Sequence, residues 1–119
     1  MGHAISHEGE FAIIKLSDRI EWEEARELDT LIKSMLEKGS YNIAFDLNSV
    51  TYICSAAIGT LVYNLNTARK NSGAIYIISS NEYIDFMFET LKFDMIFEGF
   101  IYPSYDEFQQ KIIQAHGSA

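Results

Sequence analysis

The stretch "DLNSVTYICSAAIG", residues 46–59, runs apolar and β-branched and then turns abruptly small. Just upstream, "YNIAFDL" (41–47) reads as a strand apolar enough to lie inside a sheet. Downstream, Ile58, Leu61, Val62, Leu65 and Ala68 fall at helical spacing and mark one face of a helix. Cys54, Ser55, Ala56 and Ala57 therefore stand where a strand hands over to a helix. Small residues at such a junction let the backbone turn tightly and the helix pack close. They also leave a flat surface on which something else can sit. Under the first reading Ser55 is a helix N-cap whose hydroxyl accepts a bond from a first-turn amide. Under the second it is a group presented to another molecule.

The flanking segments set the fold. "EFAIIKL" (10–16) reads as a strand, and "SDRI" has room for a short second one. Trp22, Ala25, Leu28, Leu31, Ile32, Met35 and Leu36 keep the spacing of a helix face, with Lys38 and Gly39 as a cationic end and stop. Arg69 and Lys70 close the second helix ahead of Gly73, and "AIYIIS" (74–79) is another buried strand. Ser80 or Asn81 can cap a third helix carrying Ile84, Met87, Phe88 and Leu91. "IFEGFIY" fits a short strand or an extended connector. Ser104 and Glu107 have the S-x-x-E spacing of a capping box that opens a last helix with Phe108, Ile112 and Ile113. Strands alternating with helices predict a single α/β domain over 1–119, its core at about 9–113. Its sheet is expected to be mixed or mostly parallel, with four to five strands flanked by four helices and Ser55 exposed at a helix start.

Composition narrows the function. The chain has 119 residues, 48% of them hydrophobic, and no apolar run approaches membrane-spanning length. The start, "MGHAISHEGE", lacks a basic segment followed by an apolar one, so no secretory signal is expected. One cysteine excludes an internal disulfide and fits a reducing cytoplasm. A formal charge of −8 disfavours a broad basic face for nucleic acid or anionic lipid. Neither nucleic-acid binding nor direct membrane insertion is expected; a protein partner fits better. Oligomeric state stays open.

Catalytic readings of the junction fail on spacing. A cysteine phosphatase loop needs an arginine six residues past its cysteine, and Thr60 stands six past Cys54. Ser55 is flanked by Cys54 and Ala56, not by the glycines of a nucleophile elbow. Asp46 ends a strand as a phosphoacceptor aspartate does, but the acidic pair that would hold magnesium is missing after "EFAIIKL". His3, His7 and His116 lie near the termini; His3 and His7 share a polar arm with no third ligand. There is no glycine-rich phosphate loop. No metal, no cofactor and no enzymatic activity are expected.

"FDLNSVTYICSAAIGTLV" resembles the signature of STAS domains, the family of anti-sigma factor antagonists and sulphate-transporter tails. That signature is an apolar strand, Asp-Leu-Ser, a short loop with valine and an aromatic, then Asp-Ser-Ser-Gly-Leu-Gly opening a helix. Phe45, Asp46 and Leu47 match the strand end, and Val50, Tyr52 and Ile53 the loop. Ser55, Ile58 and Gly59 match the first serine, the aliphatic position and the final glycine. "DRIEWEEARELDTLI" and "FETLKFDMIFEGF" are similar to the segments before and after, so the resemblance spans most of residues 9–113.

The resemblance implies a cytoplasmic partner-switching module for transcription regulation. Such a module binds an anti-sigma factor, often itself a serine kinase, and is released by phosphorylation of the signature's first serine, here Ser55. The partner-binding set it implies is Asp46, Asn48, Tyr52, Cys54, Ser55, Ala56, Ala57 and Ile58. The chain departs from the signature in three places. Cys54 replaces its aspartate, Ala56 its second serine and Ala57 its first glycine. Losing the aspartate removes a charge beside the acceptor. Cys54 itself reads as a small buried residue or as a thiol sensitised by the helix terminus. The alternative function is a constitutive STAS subunit of a larger assembly, such as a lipid-transport ATPase complex, in which Ser55 is never phosphorylated.

Overall fold

The computed structural model describes residues 1–117; the side chain of His116 lies outside what it describes. Five strands form one sheet in chain order: β1 (Gly2–Glu8), β2 (Phe11–Ile20), β3 (Asn42–Ile53), β4 (Ala74–Ile78) and β5 (Ile101–Tyr102). β1 pairs antiparallel with β2, and every later pair is parallel. Helices α1 (Trp22–Glu37), α2 (Ser55–Lys70) and α3 (Glu82–Thr90) make the crossovers. The last helical segment starts as α4 (Tyr105–Phe108), passes through a π-helical turn (Gln109–Ile113) and ends as α5 (Gln114–Gly117). This is the mixed α/β sheet with four flanking helical segments that the residue pattern implies. No helix among the described residues is long and apolar enough to cross a membrane.

Register explains the two faces. Ladder partners point the same way, so Ile14, Phe45 and Ile77 share one face and Ile13, Ala44 and Tyr76 the other. On β2, β3 and β4 the first face is buried, because right-handed crossovers that march one way along a sheet lay their helices on one side. Leu28 and Ile32 of α1, Leu61 and Leu65 of α2, and Ile84 and Phe88 of α3 fill it. The second face is covered by the C-terminal segment. Phe108 packs edge-on against Phe11 at 5.8 Å and lies 5.2 Å from the Tyr76 ring. The Tyr105 hydroxyl donates to Glu8 at 2.5 Å, tying this segment to β1. Burial and that carboxylate push the Tyr105 phenol up to about 12.

Three expectations are corrected. The arm carrying His3 and His7 is strand β1, joined to β2 by a two-residue turn with Gly9 at φ +58. β1 buries almost no side chain and is held by its ladder, so its residues carry no hydrophobic alternation. "SDRI" is not a separate strand. It continues β2 past an irregularity at Ser17 and Asp18, where Asp18 takes a left-handed φ of +67. The third correction concerns Trp22, placed by its spacing on the buried helix face but in fact 66% exposed. It is the first residue of α1 and projects beyond the packed turns.

Helix ends account for one glycine in an unexpected way. α1, α2 and α3 all close with the C″ amide bonded to the C3 carbonyl: Ser40 to Met35, Gly73 to Ala68, Phe93 to Phe88. The left-handed C′ residue is Gly39 in α1 but Ser72 in α2 and Lys92 in α3. Gly73 is thus not the stop of α2. It is needed because a Cβ there would collide with the Tyr41 carbonyl, to which the chain is drawn by the bond from the Ala74 amide. In urea unfolding, Ser72→Gly should stabilise the domain by about 1 kcal/mol by relieving the left-handed strain. Gly73→Ala should cost at least about 2 kcal/mol, since the obstructing atoms are backbone. Equal, small effects from the two changes would contradict this division of labour.

Candidate functional site

The strand-to-helix junction lies at the carboxyl end of the sheet, where open α/β sheets build their sites. β3 does not end at Leu47. It runs on, paired with β2, to the last rung Ile20–Ile53, so "NSVTYI" is strand and not loop. The Cys54 amide then donates to the Ile20 carbonyl at 2.9 Å. Cys54 is the N-cap residue, with extended backbone (φ −82, ψ 160), and its side chain makes no capping bond. Ser55 is the first residue of α2 and is exposed. The N-cap reading of Ser55 is therefore wrong by one position, and its hydroxyl is not committed to the helix.

The neighbours of Ser55 divide into surface and support. Cys54 and Ala56 are half-buried, their edges reaching the surface on either side of the serine. Ala57 and Ile58 are fully buried in the core beneath it. They cannot touch a partner, and their expected place in a contact surface is corrected: they hold α2 against the sheet. Ala57 takes ordinary helical angles, so the glycine of the signature is not needed for backbone conformation here. Tyr52 is half-buried, with the Arg19 guanidinium over its ring at 4.4 Å. Arg19 also bonds Glu21 at 3.1 Å, which ties the end of β2 to the start of α1. Trp22, Ala25 and Asp29 of α1 face Ala56 and Thr60 of α2 across a cleft of about 360 Å³. An exposed indole thus stands on the rim of the cleft lined by Ala56, the residue next to Ser55.

Asp46 and Asn48 have structural partners. Asp46 Oδ1 accepts from the Asn48 amide at 3.0 Å, and Asn48 Oδ1 accepts from the Ser80 amide at 2.7 Å. The first bond lies within β3, and the second joins β3 to the connection between β4 and α3. Asn81 caps α3 and also donates to the Val50 carbonyl at 3.0 Å. The Tyr83 hydroxyl accepts from the Ile53 amide at 3.2 Å and donates to its carbonyl at 3.3 Å. Nothing in local sequence signals Tyr83, whose partner lies 30 positions away. Further along α2, Asn64 donates to Asp29 at 3.0 Å and to the Thr60 carbonyl at 2.9 Å. Burial pushes the Asp29 carboxyl up, but bonds from Lys33 and Asn64 and the Lys33 charge outweigh it, leaving it below the ordinary carboxylate value.

Chemically, the junction offers an exposed hydroxyl at the positive end of a 16-residue helix with no acid in its first turn. The amides of Ser55 and Ala56 precede any intrahelical acceptor. Such a place tolerates added negative charge. Among the described residues no His, Cys, Asp or Glu group is arranged to hold a metal ion. Removing the Tyr83 hydroxyl should loosen the junction from behind. Tyr83→Phe is expected to cost about 1–2 kcal/mol in unfolding and to speed hydrogen exchange at the Ile53 amide. Unchanged exchange there would show that the β2–β3 ladder alone fixes the junction.

Comparison with known proteins places this arrangement. Solved structures share the fold, and three of them show how closely. One is the anti-sigma factor antagonist SpoIIAA in its unphosphorylated form, with TM-score 0.74, 12% identity and 98% of this chain aligned to 99% of that one. Another is a putative anti-sigma factor antagonist of Thermotoga maritima, with TM-score 0.79, 21% identity and coverage of 92% and 93%. The third is an anti-sigma factor antagonist from Mycobacterium paratuberculosis, with TM-score 0.78, 16% identity and coverage of 89% and 88%. No curated protein matches the chain by sequence. The family model of the STAS domain matches residues 4–108, nearly the whole chain from β1 to Phe108, and the chain belongs to the STAS domain family.

Proposed function

We propose that this STAS domain is a phosphorylation-controlled binding module of the anti-sigma factor antagonist kind, acting in the cytoplasm without catalysis of its own. The observation that carries the reading is the placement of Ser55. It is exposed, it is free of capping duty, and its flanks are packed into the core. A kinase can reach such a hydroxyl without unfolding the helix. The phosphoryl group brings about −1.5 to −2 charges and three acceptor oxygens. The first-turn amides and the helix dipole tolerate that charge within the domain. A partner seated over Ser55, Ala56 and the Trp22 rim cannot, because it would have to desolvate the charge. Trp22 gives that partner an aromatic anchor, the residue type most often decisive at interfaces. The partner is an anti-sigma factor with serine kinase activity.

A second reading is favoured by one residue. Cys54 stands where the family has an aspartate, so the serine lacks the adjacent charge on which a kinase could rely. Under this reading the same surface is a permanent contact to a larger assembly, such as a membrane transport complex, and ATP has no effect.

The Ser55 variants separate the two. Because Ser55 is not a cap, Ser55→Ala should change stability by no more than about 0.5 kcal/mol. Ser55→Asp should fold at least as well, since an acid in the first turn is favourable by about 0.3–1 kcal/mol. Each form is used as bait in lysate of the source organism, with and without ATP. Wild type and Ser55→Ala should capture the same ATP-binding kinase, and ATP should release only the wild type. Ser55→Asp should bind it about 100-fold more weakly, the equivalent of a desolvated charge costing a few kcal/mol. Capture of a membrane complex by all three baits, insensitive to ATP, would favour the constitutive subunit and overturn the switch.

A further inference from the structure

A second surface lies away from Ser55, on α3 and the chain that follows it. Between α3 and the β4–β5 edge is a cavity of about 330 Å³. Its walls are apolar: Ile77 and Ile101 of the sheet, Ile84 and Phe88 of α3, and Pro103. Its remaining lining residues are Ser79, Asp85, Glu89 and Asp94. Ser79 is buried at the end of β4, and its hydroxyl donates to Asp85 Oδ1 at 3.3 Å, which fixes that carboxylate at the wall. The carboxylates are not grouped to hold a metal ion. An apolar chamber with acids at its lip suits an organic cation on an aliphatic stem.

The surroundings extend the same chemistry. Residues 82–98 contain five acids (Glu82, Asp85, Glu89, Asp94, Glu98) and one base (Lys92). Five less one leaves −4, half of the chain's net −8, on 17 of its 119 residues. In the same segment Phe86 is 62% exposed and Met95 is 76% exposed, two of the largest apolar groups left in solvent. Phe86 neighbours Glu82 and Glu89 on the helix surface at i−4 and i+3, and Met95 follows Asp94. Each adjoins in sequence a carboxylate that lines the cavity, Asp85 and Asp94, so a partner seated at the cavity would find apolar surface to cover beside it. The charge turns away phosphate-bearing partners, nucleic acid and anionic lipid alike. A lone amine in the cavity would leave Phe86 and Met95 uncovered.

We propose that this face docks a basic, amphipathic segment of a protein partner. One arginine or lysine enters the cavity, its stem against Ile84, Phe88 and Ile101 and its cation among Asp85, Glu89 and Asp94. Apolar residues of the same segment cover Phe86 and Met95. The cavity shares no lining residue with the cleft at Trp22 and Ala56, so the inference does not rest on the Ser55 switch. It gives the domain a second contact that phosphorylation at Ser55 leaves unchanged.

The test is a titration of the full chain, followed by backbone amide NMR, with a synthetic peptide of alternating arginine–leucine pairs. Its citrulline counterpart and free agmatine are run in parallel. The arginine peptide should produce saturable shifts at Asp85, Glu89, Asp94 and Ile101, with the Ser55 amide unmoved. The citrulline peptide should bind at least 10-fold more weakly. Glu89→Gln with Asp94→Asn should lose at least 10-fold, and Phe86→Ser about 5-fold, with amide spectra otherwise those of the wild type. Undiminished binding by the double variant, or shifts spread equally over Glu21, Glu23 and Glu27, would reduce the effect to net charge and overturn the proposal. So would an absence of saturable binding. Agmatine binding as tightly as the peptide would make the cavity a small-amine site and overturn the docking surface.

Discussion

A single residue separates the last rung of the β2–β3 ladder from the first turn of α2, and the position of everything at the site follows from that. The rung is Ile20–Ile53, and the Cys54 amide closes it onto the Ile20 carbonyl. Only then does the chain turn into the helix. Because no loop intervenes, the direction of the Ser55 side chain is set by strand geometry, which is stiff, rather than by a connection, which would not be. α3 reinforces the junction from the other side through Tyr83 and Asn81. Ala57 and Ile58 lock the first turn down onto the sheet. A switch built on a hydroxyl needs this rigidity: a phosphate can then alter what docks on the surface without altering the surface.

The small residues at the junction do separate jobs. Ala57 is small so that α2 packs close. Ala56 is small because the cleft shared with Trp22 and Asp29 runs past it. Cys54 occupies the N-cap without capping, in the place where an aspartate or serine would ordinarily satisfy a first-turn amide. That leaves the helix N-terminus less satisfied than it could be, and so readier to receive an added anion. The absence of an acid at this position removes a recognition feature, but it also removes a charge that would repel a phosphate.

Side-chain burial governs how much of this was legible in the sequence. The helix faces and the strands β3 and β4 announce themselves through apolar spacing, because each buries side chains on a fixed period. β1 does not, since Gly2–Glu8 is held mainly by main-chain bonds and leaves every side chain before Glu8 outside the core. The continuation of β2 and β3 past Leu16 and Leu47 was hidden for a related reason: the irregularities at Ser17 and Asp18 break the alternation while the ladder goes on. At the site, the exposed serine at a helix start could be read, but Ala57 and Ile58 could not be told from contact residues. An apolar side chain in a motif reads the same whether a partner or the core receives it. Trp22 misled in the opposite sense, its spacing indicating a core that its place at the helix start does not reach. Tyr83 and Asn48 act across 30 and 32 positions of chain and leave no local trace.

Partner control through one serine is the central claim, and phosphosite mapping tests it most directly. The protein is recovered from its own cells, and in parallel incubated with ATP and the kinase it captures, then mapped by mass spectrometry alongside a measure of complex remaining. One phosphate on Ser55, with the complex lost in proportion, is the result that a rigid, exposed and uncapped serine leads us to expect. Phosphate confined to Thr51 or Thr60, or a complex that survives full modification of Ser55, would contradict it.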